Sequence, residues 1–465
     1  MTITQQDTTN TFSNEGKRSS RRGGGSGFRF AVRLINFVIV AAAIALLAYN
    51  GVLLKRRIAE QAPLAPAQMI DAQYRKEYAI IEERKKRQGV ETVRRDLPNS
   101  VLFQKLNEML DRSPNDGGSR RDLARLYTLY EDYLKSAEEL HRVPIWWPTK
   151  REDQCLEGQS YMLANRPREA EAAFKACVKV DRLHPTPPRT LYVAHQELIK
   201  LYAMEDRLDD ARAIIWDAYD QADEREHSGI LAMRMRLELE RISPEGRAVE
   251  LRKWIKADPD DVDSRRALAM AERLIAGREA EADKQIKICI SRWPKDIGVW
   301  RDWLTIIKDR GDRELLAIEI AKIPPGAEKD PVILGYRGIV LENQGKLKEA
   351  AELYRKVIEV KPGLAEFHYR LAMTTQRLGL KDESQAHFAR KKEIQDAYGK
   401  IPDVFQDYAK LLKQTHVDDK AVGEKLEELA KLCESENWKR VAAAWRKLKP
   451  VIPETIEIEK SATSK

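Results

Sequence analysis

The chain has 465 residues, and its 82 Lys and Arg against 74 Asp and Glu give a formal net charge of +8. Residues 1–57 hold nine of the bases and two of the acids, which leaves 73 bases and 72 acids for residues 58–465. A body this close to neutral lacks the basic excess of a protein that coats nucleic acid, so we expect no nucleic-acid partner. With 43% hydrophobic residues, the chain has enough apolar side chains to form packed cores.

The first predicted element is a transmembrane helix that follows a polar tail. Residues 1–33 form a basic tail rich in Ser, Thr, Gln, Asn and Gly, a composition that predicts disorder. Residues 34–54 contain no charged side chain, and 21 residues at 1.5 Å each are enough to cross a hydrocarbon core of about 30 Å. A cleaved signal peptide is the alternative, because Ala43 and Ala45 place small residues where a signal peptidase reads.

Basic residues on the two sides of this segment predict its orientation. Six Lys or Arg lie in the twenty residues before Leu34, and three lie in the twenty residues after Leu54. Because bases are retained on the cytoplasmic side, we predict a cytoplasmic N-terminus and an extracytoplasmic body, on the periplasmic side if the cell is bacterial. The run 55–57 weakens this bias, since all three of its residues are basic and lie on the other side. The sequence thus predicts a single-pass membrane protein.

The next stretch, residues 55–97, is strongly charged and predicts a helical neck. Spacings of four, four and three place one apolar stripe on this helix, formed by Ile70, Tyr74, Tyr78 and Ile81. Such a stripe predicts that the neck docks onto another surface. A coiled coil between two copies is the alternative, although the stripe is shorter than the three heptads that a coiled coil needs. Residues 98–150 are predicted to form a helical hairpin that leads into the body.

A repeat with a period near 34 residues organises the body, and residues 331–362 show it most clearly. Small Gly338 and Ala350 stand at places 8 and 20 of this unit, Gly345 at its turn and Tyr354 at place 24. This pattern resembles the tetratricopeptide repeat, in which small residues at places 8 and 20 let two antiparallel helices approach closely. The resemblance implies an all-α fold, a right-handed α-solenoid of helix-turn-helix repeats that follows the transmembrane helix.

The same frame applies to about seven repeats over residues 151–396. Besides the unit at 331, frames begin at Arg151, Tyr192, Ser228, Asp263, Ile297 and Ala365. Large Met235 and Met270 stand at place 8 of the third and fourth frames, and Arg247 and Ser384 stand at place 20 of the third and seventh. The third and seventh frames are therefore degenerate, and we expect irregular helix crossings there. Residues 397–448 are predicted to form a helical C-terminal cap, and residues 449–465 a disordered tail.

Templates for catalysis and for metal binding find no match in this sequence. The seven histidines are scattered without a metal-ligand spacing or a recurring partner: His141, His184, His195, His227, His368, His387 and His416. No nucleophile elbow or kinase motif occurs. We therefore predict that the chain is not an enzyme and that it has no catalytic residue, cofactor, metal site or small-molecule substrate.

The resemblance implies that protein partners bind in a concave groove lined by the first helix of each repeat. The places that line the groove in the family point to one polar patch, formed by Gln196, Lys200, Arg236 and Arg301. Bases and amides of this kind suit an extended or acidic segment of a partner. A solvated face without a ligand is the alternative. Family members that clamp a C-terminal carboxylate use Lys and Asn where this chain has Cys155 and Gln159, so that activity is not expected.

Two cysteines occupy places that the repeat geometry brings face to face. In antiparallel helices joined near place 15, residues whose places sum to about 32 lie opposite each other, and Cys155 at 5 and Cys177 at 27 fulfil this condition. A disulfide between them is one prediction for an extracytoplasmic body. Two small buried apolar side chains are the alternative.

These features together predict a membrane-anchored scaffold or adaptor that mediates protein–protein interactions in a membrane-associated complex. An anchor raises the effective concentration of the chain near membrane partners, and the groove selects among them. The alternative is a non-catalytic assembly or regulatory subunit of a cell-envelope enzyme or of a secretion or biogenesis system.

Overall fold

The computed structural model of the protein describes residues 67–180, 186–240, 242–414 and 418–448. Within these ranges the regular elements are 21 α-helices and two short 3-10 helices, which confirms the all-α class. No helix in this part of the chain is long and apolar enough to cross a bilayer. The predicted tail, the transmembrane helix at 34–54 and the C-terminal tail lie outside the described residues, so they stay predictions.

The N-terminal helices begin with a long charged helix that docks onto its own chain. They are α1 (Ala67–Gln88), α2 (Val90–Arg95), α3 (Val101–Arg112), α4 (Gly117–Leu129) and α5 (Tyr133–His141), with a 3-10 turn at Leu97–Asn99. Ile70 and Ile81 of α1 are buried, whereas Tyr78 is half exposed. The Tyr130 hydroxyl donates to a Glu77 carboxylate oxygen at 2.8 Å. The apolar stripe of the neck therefore packs largely against the chain's own helices.

The remaining helices continue to residue 447. They are α6 (Lys150–Leu163), α7 (Pro167–Val178), α8 (Pro188–Met204), α9 (Leu208–Gln221), α10 (His227–Leu239), α11 (Pro244–Ala257), α12 (Val262–Glu272), α13 (Glu279–Arg292), α14 (Ile297–Arg310), α15 (Arg313–Ile320), α16 (Pro331–Asn343), α17 (Leu347–Val360), α18 (Ala365–Arg377), α19 (Lys381–Leu411), α20 (Asp419–Ser435) and α21 (Lys439–Lys447). A second 3-10 turn lies at Ala327–Lys329. Most of these helices pack against the helices that precede and follow them in the chain.

Eight helix pairs share one turn conformation between their first and second helices. In each turn a single residue has φ between 58° and 81°, and these residues are Glu131, Asn165, Asp206, Gly277, Gly311, Gly345, Gly379 and Asn437. The left-handed region suits glycine and, next best, Asn or Asp. Two of the eight pairs, α4–α5 and α20–α21, lie outside the seven predicted frames. Residues 98–150, predicted to form a hairpin, hold the three helices α3, α4 and α5, and α4 and α5 form such a pair.

Small residues allow the two helices of a pair to approach closely. A Cβ atom added at Gly338 would lie 2.5 Å from the Tyr354 ring, and one added at Gly158 would lie 2.6 Å from the Phe174 ring. Ala350, at place 20 of its unit, is fully buried. Each close approach thus depends on a missing side chain on one helix and an aromatic ring on the other.

The third predicted frame does not form a helix pair, and this corrects the sequence analysis. Met235 of α10 packs with helices α19 to α21, whereas Trp254 of α11 packs with α12. Met235 and Arg247 are too large for the close approach that places 8 and 20 require. Arg247 instead donates from Nε to the Met204 carbonyl oxygen at 3.0 Å. In the seventh frame, by contrast, Ser384 is small and buried, and α18 packs closely against α19.

The C-terminal helices α19 to α21 pack against α9 and α10, which lie near the middle of the sequence. Helix α19 runs through the boundary predicted at 396/397. The Tyr398 hydroxyl donates to the Glu238 carbonyl oxygen at 3.1 Å, and Arg440 pairs with Asp220 at 2.6 Å while its guanidinium lies 4.1 Å from the centroid of the Trp216 ring. Trp445 is fully buried in this contact region. The C-terminal helices therefore cover α10, in addition to ending the row of pairs.

Candidate partner-binding site

Two residues of the predicted polar patch lie on α8, one helical turn apart. Gln196 is half buried, and the Lys200 side chain is 65% exposed. The Lys200 ammonium pairs with the Glu197 carboxylate at 2.8 Å, a contact three residues apart on the same helix. Because such exposed pairs contribute little free energy, Lys200 can exchange this carboxylate for one from a partner.

The other two residues of the patch lie on different helices. Arg236 of α10 is exposed, and its side chain has no ion pair with any residue that the structure describes. Arg301 of α14 pairs with Asp330 at 3.4 Å and approaches its neighbour Asp302 at 3.9 Å. No hydrogen bond or ion pair between described residues joins any two of the four patch residues. Their joint use by one ligand stays a prediction.

A network of charged side chains that the sequence analysis missed links three separate parts of the chain. Arg168 of α7 pairs with Glu171 at 2.6 Å, with Asp261 at 3.4 Å and with Asp263 at 3.3 Å, and it also pairs with Glu205. Glu205 ends α8, and Asp261 caps the start of α12 by accepting a backbone hydrogen bond. The partners stand up to 95 residues apart, so no short motif reports them.

Burial and pairing act in opposite directions on the carboxyl groups of this network. Glu205 is fully buried, and burial raises its pKa to about 7 even though Arg168 pairs with it. Burial also opposes the ionisation of Glu171, but hydrogen bonds from Arg207 and Lys175 prevail and lower the pKa of Glu171 to about 2. The network is thus a structural link between repeats, and its side chains are largely engaged with each other.

The two predicted cysteine partners lie next to each other. Cys155 of α6 and Cys177 of α7 are buried in one apolar cluster, and each is a free thiol in the structure. A hydrogen bond between the two thiols, together with burial, raises the pKa of Cys177. The structure brings the two side chains together as free thiols, and a disulfide between them stays a prediction.

Two histidines outside this network lie close together. His368 and His387 place their Nδ1 atoms 3.0 Å apart, and burial lowers the pKa of both. Within the described ranges, no group of three or more His, Cys, Asp or Glu side chains is arranged to hold a metal ion. The surface of the first helices, rather than a cluster of reactive groups, is therefore the candidate site.

One protein family matches part of the chain. The model of the tetratricopeptide repeat matches residues 337–363, which run from the middle of α16 to the turn after α17. No curated protein matches. The chain thus carries a tetratricopeptide repeat at these residues, and helix pairs with the same turn flank it. Repeats of this kind typically form scaffolds for protein–protein interaction.

Three solved structures show a weaker likeness. MamA MSR-1 C2 is 17% identical with a TM-score of 0.27, over 37% of this chain and 97% of its own. PilF of Pseudomonas aeruginosa is 13% identical with a TM-score of 0.28, over 48% and 88%. The APC/C hetero-tetramer Cut9-Hcn1 is 11% identical with a TM-score of 0.32, over 82% and 95%. These TM-scores lie below 0.5, so the likenesses carry no weight for function.

Proposed function

We propose that the chain is a membrane-anchored tetratricopeptide-repeat scaffold that holds protein partners at a membrane. The observation that carries this proposal is the succession of eight helix pairs with one turn geometry. Stacked pairs of this kind present an extended surface, and their first helices carry polar side chains on it. The anchor at residues 34–54 is the second part of the proposal, and it would raise the effective concentration of the surface near membrane partners.

We further propose that Gln196, Lys200, Arg236 and Arg301 contact the partner. Lys200 and Arg236 are exposed, and neither is held in a buried ion pair among the described residues. A carboxylate of the partner would form charge-assisted hydrogen bonds with such side chains, which are roughly twice as strong as neutral ones. An acidic or extended segment is therefore the partner chemistry that fits this surface.

Charge reversal in the full-length protein tests the surface. The variant Lys200→Glu with Arg236→Glu should lose most partner recovery when the protein is purified from detergent-solubilised membranes and analysed by mass spectrometry. The matched control is Lys253→Glu with Lys284→Glu, because these lysines are 54% and 67% exposed and lie on α11 and α13, which carry none of the patch residues. Equal recovery by both variants would reject the polar patch while leaving the scaffold proposal intact.

The anchor is tested separately by extraction. Full-length protein should stay in the membrane pellet at alkaline pH, and deletion of residues 34–54 should release it. A reporter that is active only in an oxidising compartment, fused to the C-terminus, should report an extracytoplasmic body. Release of the full-length chain by alkali would contradict the anchor, and a silent reporter would contradict the orientation.

A further inference from the structure

The connection between α17 and α18 lies where three parts of the chain meet. Lys361 at its start pairs with Asp209 of α9 at 3.6 Å. The backbone of Gly363 lies against the end of α20, since a Cβ atom added there would be 2.8 Å from the Glu436 carbonyl oxygen. A change in this connection therefore reaches the contact between the row of helix pairs and the C-terminal helices.

A histidine of α18 holds this connection by a hydrogen bond. His368 is 4% exposed, and its Nε2 atom lies 3.0 Å from the carbonyl oxygen of Pro362. A carbonyl oxygen only accepts, so Nε2 carries the hydrogen and donates it. When His368 is neutral, its other ring nitrogen, Nδ1, therefore has a lone pair and no hydrogen.

The second histidine supplies the hydrogen for this nitrogen. His387 of α19 is half buried, and its Nδ1 atom lies 3.0 Å from the Nδ1 atom of His368. Because the lone pair is on His368, the neutral His387 ring donates from Nδ1. The two hydrogen bonds thus form one chain, which runs from α19 through α18 to the connection. The carbonyl oxygen at its end fixes the tautomer of both rings.

This chain of hydrogen bonds accepts one additional proton but not two. A first proton leaves one N–H group between the two Nδ1 atoms and places the charge on one ring. A second proton places N–H groups on both Nδ1 atoms, so that two donors and two positive charges face each other across 3.0 Å. The contact between the rings then breaks, because neither ring has a lone pair left to accept.

Burial and nearby charges disfavour protonation of the pair. Burial lowers the pKa of both histidines below the ordinary value of 6.5. Arg390 of α19 adds to this effect at His368, and Arg355 of α17 adds to it at His387. Glu383, one turn before His387, acts in the opposite direction, but its carboxylate accepts hydrogen bonds from Arg355 at 2.8 and 3.0 Å. The stability that the pair contributes is therefore present above pH 6.5 and is lost as the pH falls through the lowered folded pKa values.

We propose that His368 and His387 form a pH-sensitive lock, which fastens the connection 361–364 to α18 and α19 when the pair is neutral and releases it when both rings are protonated. Release frees Gly363 from the end of α20 and so loosens the C-terminal helices on the row of pairs. The lock does not depend on the proposed anchor or on the polar patch, since neither contributes a residue to it.

One other titratable group borders this connection and acts in the opposite direction. Burial raises the pKa of Glu436 from 4.5 to about 7. Its contribution to stability is therefore fully present below pH 4.5 and is lost as the pH rises through about 7. A loss of protection on acidification thus cannot come from Glu436.

Hydrogen exchange in the full-length protein tests the lock. Protection factors, which correct for the intrinsic effect of pH on exchange, are measured by mass spectrometry between about pH 7.5 and about pH 5. Protection at residues 361–372 should fall by up to about tenfold per pH unit for each proton that opening takes up. Peptides of α16 should keep their protection. Constant protection at residues 361–372 would overturn the lock.

The variant His387→Asn separates titration from structure. Its amide can donate to neutral His368, or turn over and accept from protonated His368, so a second proton no longer opens the contact. Protection at residues 361–372 should match that of the unchanged protein at neutral pH and should stay high in acid. The matched control is His141→Asn, because His141 is 73% exposed on α5, and this variant should keep the full fall. Equal falls in the two variants would overturn the proposal.

A second variant leaves both histidines in place. Arg355→Gln removes a positive charge near His387 and frees Glu383 to pair with the protonated ring. The closed pair then takes up its first proton more readily, so opening adds one proton instead of two. The fall in protection should therefore begin at a lower pH and be shallower than in the unchanged protein. An unchanged profile would show that this pair is not the group that titrates, and would overturn the lock.

Discussion

Helices α16 and α17 form a close pair, whereas α10 and α11, at the same places of the repeat frame, do not. In the first pair Gly338 lies against the Tyr354 ring, and Gly345 takes a left-handed turn with φ of 76°. In the second, Met235 packs on the C-terminal helices, and the residue after α10 is Glu240 with an extended φ of −98°. The close pair thus has both a glycine at the crossing and a left-handed residue at the turn, and among the described residues α10 and α11 have neither.

Where the pair is missing, other contacts hold the chain together. Helix α10 is covered by the returning C-terminal helices, and Arg234 is buried with its guanidinium 5.2 Å from the centroid of the Trp438 ring. The network around Arg168 and Glu205 joins α7 and the end of α8 directly to the start of α12, the helix that follows α11 in the sequence. Apolar close approach thus stabilises α16 and α17, while long-range aromatic and ionic contacts stabilise the region around α10 and α11.

The largest effect is expected when the close pair loses its aromatic ring. Tyr354 is fully buried, and its hydroxyl donates to Glu342 at 2.8 Å. Tyr354→Ala removes this ring and leaves a cavity, so the free energy of unfolding in urea should fall by about 3–5 kcal/mol. Tyr369→Ala is the control, because Tyr369 is 45% exposed on the next helix, α18. Similar losses for the two variants would show that the ring does not stabilise the pair.

A smaller effect, at a different place, is expected for the helix without a pair. Met235 is fully buried among residues of α19 to α21. Met235→Ala should lower the free energy of unfolding by about 2–5 kcal/mol. Hydrogen exchange should increase in α20 and α21 and stay unchanged in α11. Faster exchange in α11 would mean that α10 and α11 are coupled as a pair after all.

The sequence predicts the regular parts of this fold because their signal is local. Gly338, Gly345 and Ala350 stand within thirteen residues of each other, so a single frame reveals their pair. The turns at Glu131 and Asn437 are harder to recognise in the sequence, since no glycine marks the left-handed residue. The contact of α10 with the C-terminal helices and the network of Arg168 join residues far apart in sequence, and no spacing rule reports such contacts.

The four patch residues show the same limit for the binding site. The repeat frame predicts that Lys200, Arg236 and Arg301 lie on first helices, and the structure has them on α8, α10 and α14. In the structure one side of α10 is covered, since Met235 is fully buried while Arg236 beside it is exposed. The repeat frame does not predict this cover. Which neighbours a helix has depends on the tertiary fold, and a repeat pattern alone does not define it.

A pH-dependent effect should distinguish the charged network from apolar pairing. The folded pKa of Glu205 is about 7, above its ordinary value of 4.5, because the carboxyl group is buried. Its contribution to stability is therefore fully present below pH 4.5 and is lost as the pH rises through about 7. The loss amounts to about 3 kcal/mol at 1.36 kcal/mol per pKa unit.

Glu205→Gln removes this titration and supplies the measurement. Between pH 4.5 and 7.5, the free energy of unfolding of the unchanged protein should fall by about 3 kcal/mol relative to that of the variant. Gly345→Ala, in the turn of the pair α16 and α17, changes no titratable group, so it is the control and should leave the pH profile of the difference nearly flat. A flat difference for Glu205→Gln as well would contradict the raised pKa.

The smallest predicted effect tests the turn itself. Gly345 has φ of 76°, and an alanine there costs about 1–2 kcal/mol because its Cβ approaches the following carbonyl oxygen. Gly345→Asn should cost less, since Asn165 and Asn437 adopt the same conformation in other pairs. Glu240→Ala, at the residue that follows α10 and has an extended backbone, should change stability by no more than about 0.5 kcal/mol. Equal losses at 345 and 240 would show that the left-handed turn does not separate paired from unpaired helices, and the close approach at Gly338 would then carry that distinction alone.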